Sequence, residues 1–456
     1  MSRRIASSVL VLLGFVMTVL VVAGWGAFGA MTRMMALPET VAADSGGLPE
    51  AIQISPAAEA RPLALVLASN AGTEITDMLA PFAVLAASGA FEVRTVAPQR
   101  RPSPLLGGVD FLTDFALDDP MLRTRRVALV VVPLFLDPTD ARLIEGVRSL
   151  AAAGAHVLSI CEGARTVAEA GLFDSRPATT HFFALAGLAK KHPAAQWRQG
   201  VRFVSDERVS SSAGVTASID ATLDVVRRLA GRAAAERAVA ALGLVEQGEI
   251  WSSPSFDASE ISVLLLGAGF GGTVRQIGVV LPGGVDELQL AALLDLHPRS
   301  FAADTRTLSV EPGWLRSRYG LWLRARTPIA AAAGLGLDEL LVPAGNDGGA
   351  ALRAAKQLAR SAHIPLEDLS AVPPGRSFDY VLDGIAQRND RATARVVAEM
   401  VEWPWQPGLL PAPQAGRDFD WPALLRLLAW GFSGALLVLW GIRRSARRLA
   451  RPTTSG

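Results

Sequence analysis

AHVLSICEGARTVAEAGL, residues 155–172, decides the fold. AHVLSI (155–160) is an apolar run of strand length, and CEGARTVAEAGL (161–172) carries helical spacing. The chain's single cysteine, Cys161, stands between them. Upstream, ALVLA (64–68), FEVRTVA (91–97) and RVALVVVP (126–133) read as strands, whereas GTEITDMLAPFAVLAASG (72–89) and PTDARLIEGVRSLAAAG (138–154) read as helices. Strands alternating with helices predict a parallel sheet covered on both faces, with ligand sites at the carboxyl ends of the strands. A thiol at such an end feels the following helix's N-terminal dipole, which predicts a pKa below about 8.5. An inert buried cysteine is the competing reading.

The chain has 456 residues, enough for two or three domains, and half are apolar. That excludes a disordered chain. Lys+Arg 44 against Asp+Glu 43 gives no basic field for nucleic acid, and one cysteine excludes an intramolecular disulfide or a cysteine-based zinc cluster. Nothing calls for a metal or a cofactor. GAGFGG (267–272) lacks the following helix and the ribose-binding acid of a dinucleotide fingerprint, and reads as a turn-rich linker.

Two apolar runs bracket the chain. No charge occurs between Ile5 and Thr32, and Pro422 to Ile442 holds only Arg426. A bilayer core of about 30 Å takes about 20 residues, so both are long enough to cross it. A cleaved signal peptide is the alternative for the first, although its apolar core usually spans only about 7–15 residues. Trp421 and Trp440 bracket the second like an aromatic belt. Arg3 and Arg4 precede the first run, and Arg443, Arg444, Arg447, Arg448 and Arg451 follow the second. The positive-inside rule then puts both termini in the cytoplasm and everything between the runs outside it, in the periplasm of an inner-membrane protein.

SICEGARTVAEAGLFDSRPATTHF (159–182) resembles the nucleophile-elbow region of the ThiJ/PfpI superfamily, whose fold is the class I glutamine amidotransferase-like one. VRFVSDERVSSSAGVTASIDATLDVVRRLAG (201–231) is similar to its following strand, turn and helix, and EITDMLAPFAVLAASG (74–89) to its acidic helix. The blocks keep family order over about 180 residues. They sit nearest the branch with isonitrile hydratases and the amidotransferase-like part of AraC-type regulators. The resemblance implies a flavodoxin-like α/β sandwich. By position it implies Cys161 as nucleophile, Asp77 as the acid beside it and His181 as the neighbouring histidine. Two departures stand out: VVPLFLDP (131–138) lacks the usual Gly-Gly after the strand, and Glu162 follows the cysteine. No helix-turn-helix pair follows.

Segments farther on read as a second, degenerate copy. QIGVVLPGGVDELQLAALLDL (276–296), LDELLVPAGND (337–347) and SFDYVLDGIAQRNDRATARVVAEM (377–400) parallel pieces of the first unit, without a cysteine and with Ala291 or a neighbour in the Asp77 place. Chance likeness between α/β elements is the alternative. The division is therefore a cytoplasmic tail (1–7), a transmembrane helix (8–30), a linker (31–60), a ThiJ/PfpI-like domain (61–245) and a linker (246–272). The degenerate repeat (273–405), a linker (406–420), a transmembrane helix (421–442) and a basic cytoplasmic tail (443–456) complete it.

Two functions from different classes follow. One is an anchored, cysteine-dependent hydrolase or lyase acting on a small carbonyl, amide or nitrile-like compound. The other is a non-catalytic extracytoplasmic sensor, regulator or scaffold that binds a ligand or reports thiol oxidation. The partners expected are membrane lipid and a small molecule, with a homodimer left open and no nucleic acid.

Overall fold

Strand β1 (Leu63–Leu67) is buried along its whole length, as an uninterrupted apolar run in a parallel sheet should be. The computed structural model describes residues 3–35, 47–50, 60–245, 258–408 and 421–449. Around β1 the chain builds α2 (Ile75–Ser88), β2 (Glu92–Ala97), β3 (Ser103–Leu105), β4 (Val109–Leu112), β5 (Phe115–Ala116), β6 (Val127–Val132), α3 (Ala141–Ala152) and β7 (His156–Ser159). After the cysteine come α4 (Ala164–Glu169), α5 (Phe182–Lys191), β8 (Phe203–Val204), β9 (Val209–Ser212), α6 (Ala217–Ala230) and α7 (Arg232–Leu242). The main sheet runs β8-β9-β7-β6-β1-β2-β5, parallel except for β8 on the edge. This is the flavodoxin-like α/β sandwich expected.

Helix α2 begins because Glu74, in extended backbone, accepts a hydrogen bond from the Asp77 N–H, and it ends at Gly89 in the left-handed region. It tolerates Pro81 in its interior because nearly all its residues are buried against other helices.

From residue 275 a second body follows: β10 (Arg275–Leu281), α9 (Glu287–Arg299), β11 (Ala303–Ser309), β12 (Leu315–Arg316), β13 (Trp322–Ala325), β14 (Thr327–Pro328) and β15 (Glu339–Val342). It continues with α10 (Ala350–Ala362), β16 (Leu366–Asp368), α11 (Ser377–Arg388) and α12 (Arg391–Met400). Its sheet runs β14-β11-β10-β15-β16, with β10 and β15 parallel neighbours. The two bodies meet where α9 packs on α2, and where β4 pairs antiparallel with β13 inside a sheet of order β12-β13-β4-β3.

Among the described residues, two helices are long and apolar enough to cross a membrane: α1 (Arg3–Met34) and α13 (Trp421–Leu449). Both run beyond the 8–30 and 421–442 segments drawn from the sequence. Large apolar side chains stay exposed along them, Trp25, Phe28 and Leu437 among them. The segment 246–272, read as a linker, contains a helix, α8 (Ala258–Phe270). Within it, Gly269 serves close packing and not a turn. A Cβ on Gly269 would fall 2.8 Å from Ala23 Cα, and one on Gly26 would fall 2.4 Å from Ala268 O. Small residues let α8 and α1 approach backbone to backbone. Residues 246–257, most of the 31–60 and 406–420 linkers and the extreme tails lie outside the described residues.

Candidate functional site

Cys161 follows β7 at the carboxyl edge of the sheet, where Ile160 still donates to Val132 O at 2.9 Å. A single tight turn (Cys161–Gly163) then leads into α4. The turn forces Cys161 to φ 53°, in the left-handed region, at a cost of about 1–2 kcal/mol for a residue with a Cβ. Gly163 permits it: a Cβ there would lie 2.1 Å from Val132 O. Thr180 Oγ1 donates to Cys161 O at 2.9 Å and fixes the turn from the far side.

Asp77 Oδ2 accepts the Leu134 N–H at 3.0 Å, while its Oδ1 is buried with no partner. Burial pushes its carboxyl up to about 7, against the pull of the Leu134 N–H and Arg299. Glu74 lies beside it. One oxygen accepts the Asp77 N–H at 2.6 Å and the other is 3.3 Å from Arg299. Burial, then Asp295 and Asp77, raise the Glu74 carboxyl well above the usual range. Arg299 also pairs with Asp295 at 2.6 Å, and Asp295 accepts from Thr76 Oγ1 at 3.0 Å. Burial works against the Arg299 charge, but Asp295 and Glu74 outweigh it and hold the guanidinium charged. Three buried carboxyls thus share one arginine.

His181 lines the same cavity as Cys161, but both its ring nitrogens meet backbone. Nε2 is 3.0 Å from Met400 O, and Nδ1 accepts from the Phe183 N–H at 3.5 Å. Burial lowers its pKa to about 4, so the ring is neutral. It shapes the wall and fastens α12 to the elbow. To act as a base beside the thiol it would have to free Nδ1, its unprotonated nitrogen, from the Phe183 N–H.

The low thiol pKa expected from the helix dipole does not hold. Burial, then the charges of Asp77, Glu162 and Glu74, lift Cys161 well above its ordinary range, and Arg299 only partly opposes them. α4 has six residues, too short a helix to outweigh that. Glu162 itself turns to Arg165, 2.7 Å away. The missing Gly-Gly also has a consequence. Leu134, Phe135 and Leu136 place apolar side chains on the cavity wall, and the Leu134 N–H is spent on Asp77.

The cavity is about 500 Å³. Its buried polar groups are Cys161, Glu74, Asp295, Arg299 and His181. Asp295 and Arg299 come from α9, and Met31, Met34 and Met35 from the end of α1. The sequence reading missed Glu74, Asp295 and Arg299. Their signal was an Asp and an Arg four apart at the end of a helix whose middle, LAALL, is apolar, and an acid at the N-cap of α2.

A family model described as DJ-1/PfpI family matches residues 63–228. No curated protein matches the chain. Among solved structures, the chain is similar to an AraC family transcriptional regulator from Pseudomonas putida (20% identity, 39% of this chain, 97% of that one, TM-score 0.35). It is also similar to Drosophila melanogaster DJ-1beta (18%, 41%, 99%, 0.36) and a THiJ/PfpI family protein from Pseudomonas syringae (20%, 48%, 87%, 0.35).

Proposed function

We propose, from the DJ-1/PfpI family domain of residues 63–228, that this is a membrane-anchored protein whose Cys161 site takes a small carbonyl, amide or nitrile-like compound. One observation carries the reading. A strained cysteine faces a 500 Å³ cavity that also holds Arg299, and the buried Asp77 carboxyl, whose charge acts on the thiol, would take its proton. Arg299 would hold the compound's oxygen or nitrogen.

The second body is a reduced copy of the first. Its strand order β16-β15-β10-β11-β14 parallels β7-β6-β1-β2-β5. Leu134 N–H binds Asp77, and Ala344 N–H binds Gln289 at 2.7 Å after the matching strand. Ile160 N–H binds Val132 O, and Leu369 N–H binds Val342 O, both at 2.9 Å. Gln289, and not Ala291, therefore stands in the Asp77 place, and exposed Ser370 in that of Cys161. This copy has no elbow of its own and completes the working one through Asp295 and Arg299.

Anchoring by α1 and α13 is supported by their exposed apolar faces and by their pairing. Gly14 sits against Val438 and Phe15 against Phe432, so residues 5 and 444 lie at one end and the folded bodies at the other. With the flanking arginines this favours both termini in the cytoplasm and the bodies outside it.

The raised thiol pKa favours a second reading, a non-catalytic ligand sensor, because a neutral buried thiol is a slow nucleophile. Incubation of the full chain and its Cys161→Ser variant with a panel of aldehydes, amides and nitriles separates the two. Turnover lost in the variant supports the enzyme, binding without turnover supports the sensor, and neither binding nor turnover sinks both.

A further inference from the structure

The rim of the Cys161 cavity leaves large apolar side chains open. Its buried polar groups, Glu74, Cys161 and Asp295, are 2%, 4% and 7% exposed and sit among buried Phe135, Leu294 and Met400. Its most exposed residues are apolar: Phe183, Met31 and Met35 are 58%, 47% and 39% exposed. Its charged residues, Glu162 and Arg165, are paired with each other. Apolar surface left open in this way marks an apolar partner.

The methionines also fix where the mouth lies. They occupy the last turn of α1, where its apolar run ends. That turn is held firmly to the second body. Ala30 and Met34 pack with Phe301, Val396 and Met400, and Arg33 pairs with Asp304 at 3.4 Å. With α1 across the bilayer, the rim stands at the boundary between headgroups and acyl chains. Methionine suits it, being unbranched and able to repack around chains of different shape.

We propose that the ligand is an amphiphile drawn from the bilayer, with one alkyl tail and a carbonyl oxygen at its head. The tail lies along Met31, Met34 and Phe183, and the oxygen reaches Arg299 beside Cys161. A volume of about 500 Å³ is within the range of small-molecule sites. The inference rests on the proposed Cys161 site and names its substrate class.

The test uses the full chain in phosphatidylcholine vesicles at pH 8.5, with N-ethylmaleimide and N-dodecylmaleimide as probes. The reference is a water-facing thiol, Ser149→Cys in a Cys161→Ser background. Relative to that thiol, Cys161 should react at least tenfold faster with the dodecyl reagent than with the ethyl one. Met31→Lys with Met35→Lys, both on exposed positions, should cut the ratio of dodecyl to ethyl rate at Cys161 several-fold, a ratio that a shift in thiol reactivity leaves alone. Equal reagent preference at the two thiols, or indifference to the lysines, overturns the membrane-facing mouth and leaves the site standing. Failure of both reagents to reach Cys161 overturns the site as well.

Discussion

Asp77→Asn should stabilise this protein, and by more at alkaline than at acid pH. Asp77 is fully buried and its carboxyl is lifted from 3.8 to about 7, chiefly by burial. Between those values the folded chain keeps a proton that the unfolded chain has released. Raising the pH through that window therefore lowers stability. At about 1.36 kcal/mol per pKa unit, burying this carboxyl, protonated at pH 5 and largely ionised at pH 8, costs the fold roughly 1–2 kcal/mol at pH 5 and roughly 4 kcal/mol at pH 8. Asparagine is never charged and can still accept the Leu134 N–H, as Gln289 accepts the Ala344 N–H in the second body. Its advantage should grow by about 2–3 kcal/mol from pH 5 to pH 8, or roughly 2–5 °C in Tm for two bodies that share one core. Glu74, also raised, still titrates in the variant, so pH dependence becomes shallower without vanishing. Thermal unfolding of the full chain in detergent, followed by tryptophan fluorescence at the two pH values, measures this. An equal gain at both would show that the Asp77 pKa is unshifted, a loss that deepens with pH that it is a stabilised carboxylate, and either refutes the reasoning.

Four further outcomes are expected. Arg299→Met leaves Glu74 and Asp295 without their buried cation and should cost about 3–5 kcal/mol in denaturant unfolding; a loss below about 1 kcal/mol would mean the carboxyls are protonated throughout. Gly163→Ala puts a Cβ against the Val132 carbonyl, for an expected loss of at least about 2 kcal/mol; an unchanged Tm would show that the elbow can shift. The alkylation rate of Cys161 should still be climbing at pH 9, and a plateau below pH 8.5 would restore the thiolate reading. Reporter fusions at the two termini should read as cytoplasmic and an insertion within 246–257 as external, with a cytoplasmic signal from the insertion reversing the orientation.

The placement of Cys161 was legible because strand and helix runs meet there, and the blocks around it keep their order. Buried strands at 277–281 and 339–342 were legible for the same reason: apolar runs of four to seven residues bounded by Gly and Pro. Three things were not. The helix α8 was hidden because Gly267, Gly269 and Gly271 signal turns locally, and only the neighbouring α1 shows why a small residue is needed at 269. The sign of the thiol shift was hidden because a dipole is read from local sequence, whereas burial and the Glu74 and Asp77 charges come from tertiary structure. Asp295 and Arg299 were hidden because they reach Cys161 from more than 130 positions away along the chain.

The packing of α9 on α2 frees each helix from the other's duties. In an assembly of two identical subunits, one helix sequence must serve both sides of the contact, and every substitution is made twice. Here Glu74 and Asp77 belong to one helix, Asp295 and Arg299 to the other, and each set is encoded once. A mutation can therefore retune the cation facing the thiol without touching the acids beside it. The chain carries one thiol and one such pairing of acids with a cation, so neither cooperativity between equivalent sites nor mixing of mutant and wild-type halves can occur within it.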